Sequence, residues 1–268
     1  MPEQILWNFL ANEDALSIGS YIARGGYEAA RKAVTSMAAE QIVQEVKQSN
    51  LRGLGGAGFG TGMKWGFIPK NINKPVYLAV NADEGEPGTF KDRYIMERTP
   101  HLLIEGIIIC CYAVGSHRAY IYVRGEYDQS IAQLEKAISE AREKGFLGEQ
   151  VFGKPFTLEI VIHRGAGAYI CGEETALLES LEGKKGFPRL KPPFPAVSGL
   201  WGCPTVINNV ETLAYLPSII SKGGAWFASL GCEKNGGLRL FGVSGHVKKP
   251  GLYELPLGTT LRSIIYDH

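Results

Sequence analysis

Three short apolar runs, PVYLAV (75–80), AYIYV (119–123) and LEIVIH (158–163), are separated by longer segments with helical character. LLIEGIIICCYAV (102–114) is apolar nearly all round and predicts a buried helix; DQSIAQLEKAISEARE (128–143) is amphipathic, with Asp128 as its expected N-cap. SMAAEQIVQEVKQSN (36–50) reads as a capped amphipathic helix with Ile42, Val43 and Val46 on one side, and further helices are expected over 175–181 and 210–220. Strands that alternate with helices predict an α/β body with a largely parallel sheet, and such sheets gather ligands beyond the carboxyl ends of their strands. Three polar, glycine-bearing segments fall at such places or in connecting loops: 52–64, 81–90 and 164–174. Beyond residue 222 the composition changes. SKGGAWFASLGCEKNGG reads as a linker, and 238–267 as short strands, a turn at Lys249-Pro250-Gly251 and a helix start. A second, small β-rich domain is expected to begin there and to be cut short.

Composition narrows the partners. A net charge of +1 gives no reason to expect nucleic acid or an anionic membrane. The N-terminus has no basic start followed by an apolar run, so no signal peptide is read. The most apolar stretch, Leu102 to Gly115, is interrupted by Glu105 and is too short to span a bilayer. A cytoplasmic protein or a peripheral subunit is expected. The five cysteines, at 110, 111, 171, 203 and 232, form no C-x-x-C pair and fit reduced thiols, with Cys110 and Cys111 as core packing. No metal site is expected from them, and His117, His163 and His246 read as surface or core histidines.

The glycine segment RGLGGAGFGTGMKW (52–65) contains Gly53, Gly55 and Gly58 in a formal G-x-G-x-x-G, but after a helix rather than a strand, the wrong context for a dinucleotide fingerprint. Glycines still let backbone N–H groups approach a phosphate or a flat ring, and Lys64 adds a cation. A flexible surface loop is the alternative. In NADEGEPGTFKDR (81–93), Asp83, Glu84 and Glu86 could accept paired hydrogen bonds from sugar hydroxyls and repel a second phosphate; a divalent-cation site or a solvated turn are the rivals. In RGAGAYICGEE (164–174), Gly172, Glu173 and Glu174 lead into a helix and Tyr169 offers a ring face and a hydroxyl. Asn208 and Asn209 in PTVINNVET can donate and accept along the edge of a flavin-like ring, with Thr212 one turn on, or they form a turn or cap. In KPPFP (191–195) the prolines hold Phe194 out to stack on a base such as adenine, beside Lys191; a polyproline ligand or a core phenylalanine are the alternatives.

Taken together and in order, GLGGAGFGTGMKW, NADEGEPGTFKDR, GAYICGEETAL, KPPFP and PTVINNVETL resemble the flavoprotein subunit of respiratory complex I, and equally the diaphorase subunits of NAD-linked hydrogenases and formate dehydrogenases, over roughly residues 20–268. The resemblance implies a Rossmann-like sheet with FMN-binding loops, followed by the start of a ubiquitin-like, SLBB-type β domain. It divides the chain into an N-terminal helical segment and glycine loop (1–60), an FMN/NADH-binding domain (61–222) and the incomplete β domain (232–268). It implies an NADH dehydrogenase that passes a hydride from NADH to FMN and then single electrons to an iron–sulfur cluster outside the chain. FMN would be held by Gly53, Gly55, Lys64, Asn81, Asp83, Gly172, Glu173, Ile207, Asn208, Asn209 and Thr212, with Glu84 beside them. NADH would be held by Gly56, Ala57, Phe59, Phe67, Glu86, Tyr169, Glu174, Lys191 and Phe194. Phe59, Phe67 and Phe194 would cage the adenine, and Glu86, Tyr169 and Glu174 would stand at the reacting end. Implied partners are iron–sulfur subunits of a larger redox complex, among them a small thioredoxin-like [2Fe–2S] subunit, with membrane contact only through the complex.

Departures from the family pattern stand at Leu54, where Arg is usual, at Gly60, where Pro is usual, and at Gly85, where Ser is frequent. Full-length relatives carry a cysteine run for a [4Fe–4S] cluster, which needs four thiolates at close spacing; those ligands are absent here, so the chain reads as a fragment or a truncated product. A nucleotide-binding module or assembly subunit without independent turnover is the alternative function. A Rossmann-type dehydrogenase acting on a diffusible substrate is disfavoured by the motif order.

Overall fold

The computed structural model describes residues 4–11, 16–70 and 72–267. In chain order its elements are α1 (Trp7–Leu10), α2 (Ile18–Ala23), α3 (Glu28–Ser36), α4 (Ala39–Gln48), α5 (Thr61–Trp65), β1 (Val76–Ala82), α6 (Lys91–Arg98), α7 (Pro100–Val114), β2 (Ser116–Val123), α8 (Asp128–Glu143), β3 (Glu159–Arg164), α9 (Glu174–Leu181), β4 (Thr205–Asn209), α10 (Val210–Ala214), α11 (Leu216–Lys222), α12 (Gly224–Ser229), β5 (Leu238–Val243), β6 (Gly251–Pro256) and α13 (Leu261–Tyr266).

The first four strands form one parallel sheet in the order β3-β2-β1-β4. The chain steps outward from β1 through β2 to β3, then returns to the opposite flank of β1 to lay down β4. The connections on either side of β1 therefore diverge, which opens a crevice beyond the carboxyl ends of β1 and β4. Alternate side chains enter two cores. Leu78, Val80, Ala119, Ile121 and Val206 face the larger one, built around α7, while Ala79, Tyr122 and Ile207 pack with Leu177, Leu178 and Leu200 on the other face. The buried α7 begins with Pro100 in its first turn and stops at Gly115, whose φ of 71° suits a residue without Cβ. Residues of α1 to α4 share the larger core with α7 and α11.

The α/β architecture and the parallel sheet expected from the sequence are present, with local differences. Asp128 is the first helical residue of α8 rather than its cap, and its carboxylate pairs with Arg164 at 2.6 Å. The helix expected over 36–50 starts at Ala39, where Gln41 reaches back to the Ala38 N–H at 2.8 Å. The helix expected over 210–220 divides into α10 and α11 around Tyr215, because Pro217 has no N–H to continue the ladder. The stretch read as a linker contains α12, whose Phe227 is fully buried against Tyr215 with ring centroids 5.3 Å apart. Helix α6 was not anticipated. The C-terminal residues form the antiparallel hairpin β5–β6 followed by α13, and Glu105, which interrupts the apolar α7, is buried where it accepts the Tyr27 and Ala30 N–H groups.

Candidate functional site

The glycine loop lies over the crevice. Its stem closes through Gly53 N–H to Phe59 O at 2.8 Å and Thr61 N–H to Leu51 O at 2.9 Å, and the Arg52 guanidinium ties Gly58 O at 2.9 Å. The Leu54 N–H donates to the Thr212 hydroxyl at 2.9 Å, and Gly55 rests on Asn209, whose Cβ would stand 3.2 Å from a Cβ added there. Gly56 and Gly58 form the tip at φ 115° and 66°, with open space where side chains would stand. These are conformations that glycine adopts without strain. Behind the loop, α5 approaches α4 so closely that a Cβ on Gly62 would lie 2.6 Å from the Lys47 backbone nitrogen. That approach carries Lys64 to the crevice, where its ammonium donates to Ile207 O at 2.8 Å and stands 3.5 Å from Glu174. Trp65 Nε1 donates to the Asn208 carboxamide at 2.9 Å.

The end of β1 supplies the acidic loop. Asn81 donates to Gly172 O at 2.8 Å and accepts the Asp83 N–H at 3.2 Å, which joins the loops after β1 and β3. Asp83 is buried, and its Oδ2 has no hydrogen-bond partner within the protein. Burial pushes its carboxyl up to about 6, against the pull of Arg124. An unpaired buried carboxylate oxygen at this point calls for a donor from outside the chain, such as a sugar or polyol hydroxyl. Glu84 faces the other way. Its two oxygens accept the Asp92 and Arg93 N–H groups at the start of α6, and burial together with the nearby Asp92 charge raises it to about 7. Glu86 accepts from the Tyr169 hydroxyl at 2.6 Å. Gly85 lies under that pair, where an added Cβ would come within 3.2 Å of the Tyr169 ring.

The loop after β3 leads into α9, whose N-terminus is capped by the Glu173 carboxylate through Thr175 N–H at 2.8 Å and Ala176 N–H at 2.9 Å. Lys191 closes the opposite wall, 2.6 Å from Glu174 and 3.2 Å from Glu173. Phe59 and Phe67 are half exposed with centroids 6.0 Å apart, and Phe194 projects from its proline-bounded loop with 58% exposure.

The structure thus ties Lys64 to Ile207 and Glu174, Lys191 to Glu173 and Glu174, Asn81 to Gly172 and Asp83, Gly55 to Asn209, and Glu86 to Tyr169, with Phe59 beside Phe67 and Phe194 exposed on the 191–195 loop. Several of the residues anticipated as direct ligands have partners within the protein: Glu84 caps α6, Glu173 caps α9, the Asn208 carboxamide oxygen accepts from Trp65, the Thr212 hydroxyl is buried on the glycine loop, and the Asn209 amide is turned inward to Asp92 at 2.6 Å. Leu54, a departure from the Arg usual in the resembled family, contributes its side chain to the main core. Lys91, Asp92 and Glu211 escaped the sequence reading. The signal available was Lys91 itself, a cation in the first turn of a helix, where the dipole disfavours one unless carboxylates hold it. The open glycine tip, the orphaned Asp83 oxygen and the Lys64 ammonium suit a phosphorylated polyol bearing a flat ring. Among the described residues no group of three or more His, Cys, Asp or Glu side chains could hold a metal ion.

Comparison with known proteins agrees with this chemistry. Residues 46–218 match the family described as the Nuo51 FMN-binding domain, and residues 240–268 match the SLBB domain. An NADH-quinone oxidoreductase subunit of Rhizobium meliloti is 57% identical over 268 residues, covering 100% of this chain and 64% of that protein. An NADH-quinone oxidoreductase subunit of Aquifex aeolicus is 59% identical over 252 residues, covering 94% and 59%. Among solved structures, an NAD+-reducing [NiFe]-hydrogenase in the H2-reduced state superposes with a TM-score of 0.81 at 44% identity, over 93% of this chain and 42% of that one. The chain spans about three fifths of the length of the curated relatives it matches.

Proposed function

The chain belongs to the Nuo51 FMN-binding family, and from that premise we propose that it is the flavoprotein part of an NADH dehydrogenase, with FMN in the crevice beyond β1 and β4 and NADH entering at its mouth. The observation that carries this reading is the orphaned Oδ2 of Asp83, buried just past the carboxyl end of β1 and next to Gly172, at the switch point of a parallel sheet.

In this reading the FMN is held by Gly53, Gly55, Lys64, Asn81, Asp83, Gly172, Glu173, Ile207 and Asn208, with Asn209 and Thr212 bracing the glycine loop rather than touching the ligand through their polar atoms. When bound, FMN supplies a hydride acceptor that can release electrons singly, and the protein supplies orientation and electrostatics. Asp83 accepts a hydroxyl of the cofactor's side chain. Lys64, anchored on Ile207 O, keeps one positive charge at the floor of the crevice. Phe59, Phe67 and Phe194 bind the adenine of NADH by stacking, worth about 0.5–1.5 kcal/mol per ring pair beyond area burial. Glu86 and Tyr169 act as one unit that meets the nicotinamide riboside end, and the carboxylate of Glu174 disfavours a 2′-phosphate on the adenine-bearing ribose, which selects NADH over NADPH. Lys191 holds Glu173 and Glu174 in place across the mouth.

The onward acceptor in this proposal is an iron–sulfur cluster outside these residues, in a larger redox complex that includes a small thioredoxin-like [2Fe–2S] subunit. The described residues include no helix long and apolar enough to cross a membrane, and we place the chain on the cytoplasmic side, peripheral to the inner membrane through that complex. From residue 240 on, the C-terminal hairpin and α13 fall within the residues that match the SLBB domain.

The test is reconstitution. Purified protein titrated with FMN should take up one equivalent and quench its fluorescence, NADH without oxygen should bleach the bound flavin, and ferricyanide should sustain turnover. Failure to bind FMN removes the proposal; binding and bleaching without turnover leaves a nucleotide-binding module.

A further inference from the structure

Beneath the glycine loop lies a buried ionic cluster that the roles above do not use. Lys91 Nζ stands 2.7 Å from Asp92 Oδ1 and 2.9 Å from Glu211 Oε2. Asp92 Oδ2 accepts the Asn209 side-chain amide at 2.6 Å. The Glu211 N–H reaches Asn209 Oδ1 at 3.0 Å and Asp92 Oδ1 at 3.3 Å, and Lys91 Nζ lies 3.4 Å from Asn209 Oδ1. Asp92 and Glu211 are 4% and 1% exposed, so these contacts are made with little screening by water.

The arrangement allows the Asn209 amide one orientation. Its oxygen faces an ammonium and an N–H, and its NH2 faces a carboxylate. A half-turn about Cβ–Cγ would set donor against donor and oxygen against oxygen. The aliphatic side of the same residue is the surface on which Gly55 rests, at 3.2 Å for an added Cβ. Leu54, next in the chain, is held by Thr212, three residues beyond Asn209. A displacement of the Asn209 side chain from this position, and not a turn of its amide alone, would therefore reach Gly55.

We propose that Asp92 is a positioning residue for the cleft, acting through Asn209 to hold Gly55 and the glycine loop over the carboxyl ends of β1 and β4. The inference rests on the functional reading of that cleft, and its test keeps the two apart.

Three variants of the full chain decide it: Asp92→Asn, Asn209→Asp, and the exchange that combines them. Asp92→Asn leaves Lys91 with one carboxylate and faces two amides, while Asn209→Asp faces two carboxylates. In the exchange, the amide at 92 donates to the carboxylate at 209, whose other oxygen still meets Lys91 and the Glu211 N–H, and the charge count is unchanged. Two measurements are made on each: hydrogen exchange of the Leu54–Gly58 amides in the apoprotein, and FMN affinity by fluorescence quenching. Each single substitution should accelerate loop exchange and weaken FMN about tenfold, and the exchange variant should restore both to within about twofold of the parent. Unchanged loop protection in the singles, losses in the exchange variant equal to the sum of the singles, or its failure to fold would overturn the proposal. Should no protein, parent included, bind FMN while loop exchange still follows the pattern of loss and rescue, the cofactor assignment fails and the role of Asp92 stands.

Discussion

Tyr169 donates its hydroxyl to the Glu86 carboxylate at 2.6 Å across the mouth of the crevice, joining the loop that follows β3 to the loop that follows β1. The bond raises the phenol above its ordinary pKa, since ionised Tyr169 would face Glu86 as a like charge. Both groups are exposed, so the contact adds little to stability and its consequence is positional. Tyr169→Phe should leave Tm unchanged and raise KM for NADH several-fold. Glu86→Gln should raise KM for NADH similarly and leave the discrimination against NADPH, read from the ratio of kcat/KM for the two nucleotides, unchanged, because the phosphate that marks NADPH sits on the adenine-bearing ribose. Equal kinetics in both variants and the parent would remove this pair from the binding site.

Asp83 ties stability to pH with a definite sign. Its folded-state value is raised from the usual 3.8 to about 6, so between those values the folded protein holds a proton that the unfolded chain has released. Stability from this group therefore falls as pH rises from about 4 to about 6. Asp83→Asn should match the parent in Tm near pH 4 and exceed it at pH 7, by about 2–4 °C for each kcal/mol recovered. The FMN affinity of the same variant should be lower at pH 7, because the amide cannot replace the anionic oxygen. In the parent that affinity should decline as pH falls through about 6, a dependence that Asp83→Asn should flatten. A Tm difference that does not grow between pH 4 and 7 would contradict the assignment.

Gly60 sits at φ −61°, the value a proline ring imposes, and it immediately precedes α5. The two bonds that flank it, from Gly53 N–H and Thr61 N–H, leave its own N–H out of the loop stem. Gly60→Pro should restrict the unfolded chain without costing a native bond, adding about 0.4–1 kcal/mol. Thermal unfolding with the parent as control checks this. A fall in Tm would mean that Phe59 cannot adopt the extended backbone demanded before proline.

Much of this was legible in the sequence because it is local. β1, β2 and β3 announced themselves as β-branched and aromatic runs while β4 did not, since its TVINN read as an amide pair, and residues 52–64, 81–90 and 164–174 stood out because glycines and carboxylates cluster there. The direction of individual side chains was not legible. Glu84 and Glu86 are two residues apart in one acidic loop, yet one caps α6 and the other faces the mouth, a choice made by the tertiary position of α6. Asn209 read as a ligand because its amide can donate and accept; the carboxylate that claims it comes from Asp92, which lies 117 positions away. Phe227 hid in a glycine-rich stretch resembling a linker. What buries it is the approach of Gly237, where a Cβ would lie 2.0 Å from the Phe227 ring, and no window of sequence shows that approach.

The same reasoning makes Glu254 the strongest test of how the two ends of the chain depend on each other. From β6 its Oε2 accepts the N–H groups of Ile5 and Trp7 at 2.9 Å, and its Oε1 accepts the Leu6 N–H at 2.9 Å and the Tyr215 hydroxyl at 3.0 Å. Three backbone donors at the start of α1 thus converge on one carboxylate that burial holds above its ordinary pKa, and a helix this short has little stability of its own. Glu254→Gln keeps the shape but turns an NH2 group toward donors, leaving at least one of them unsatisfied in the interior, at a cost of about 3 kcal/mol. Tm should fall accordingly, and hydrogen exchange should accelerate first in residues 6–10 and in the β5–β6 hairpin, with β1 and β2 still protected. Uniform acceleration across the parallel sheet would show instead that the hairpin and α1 unfold only with the whole molecule.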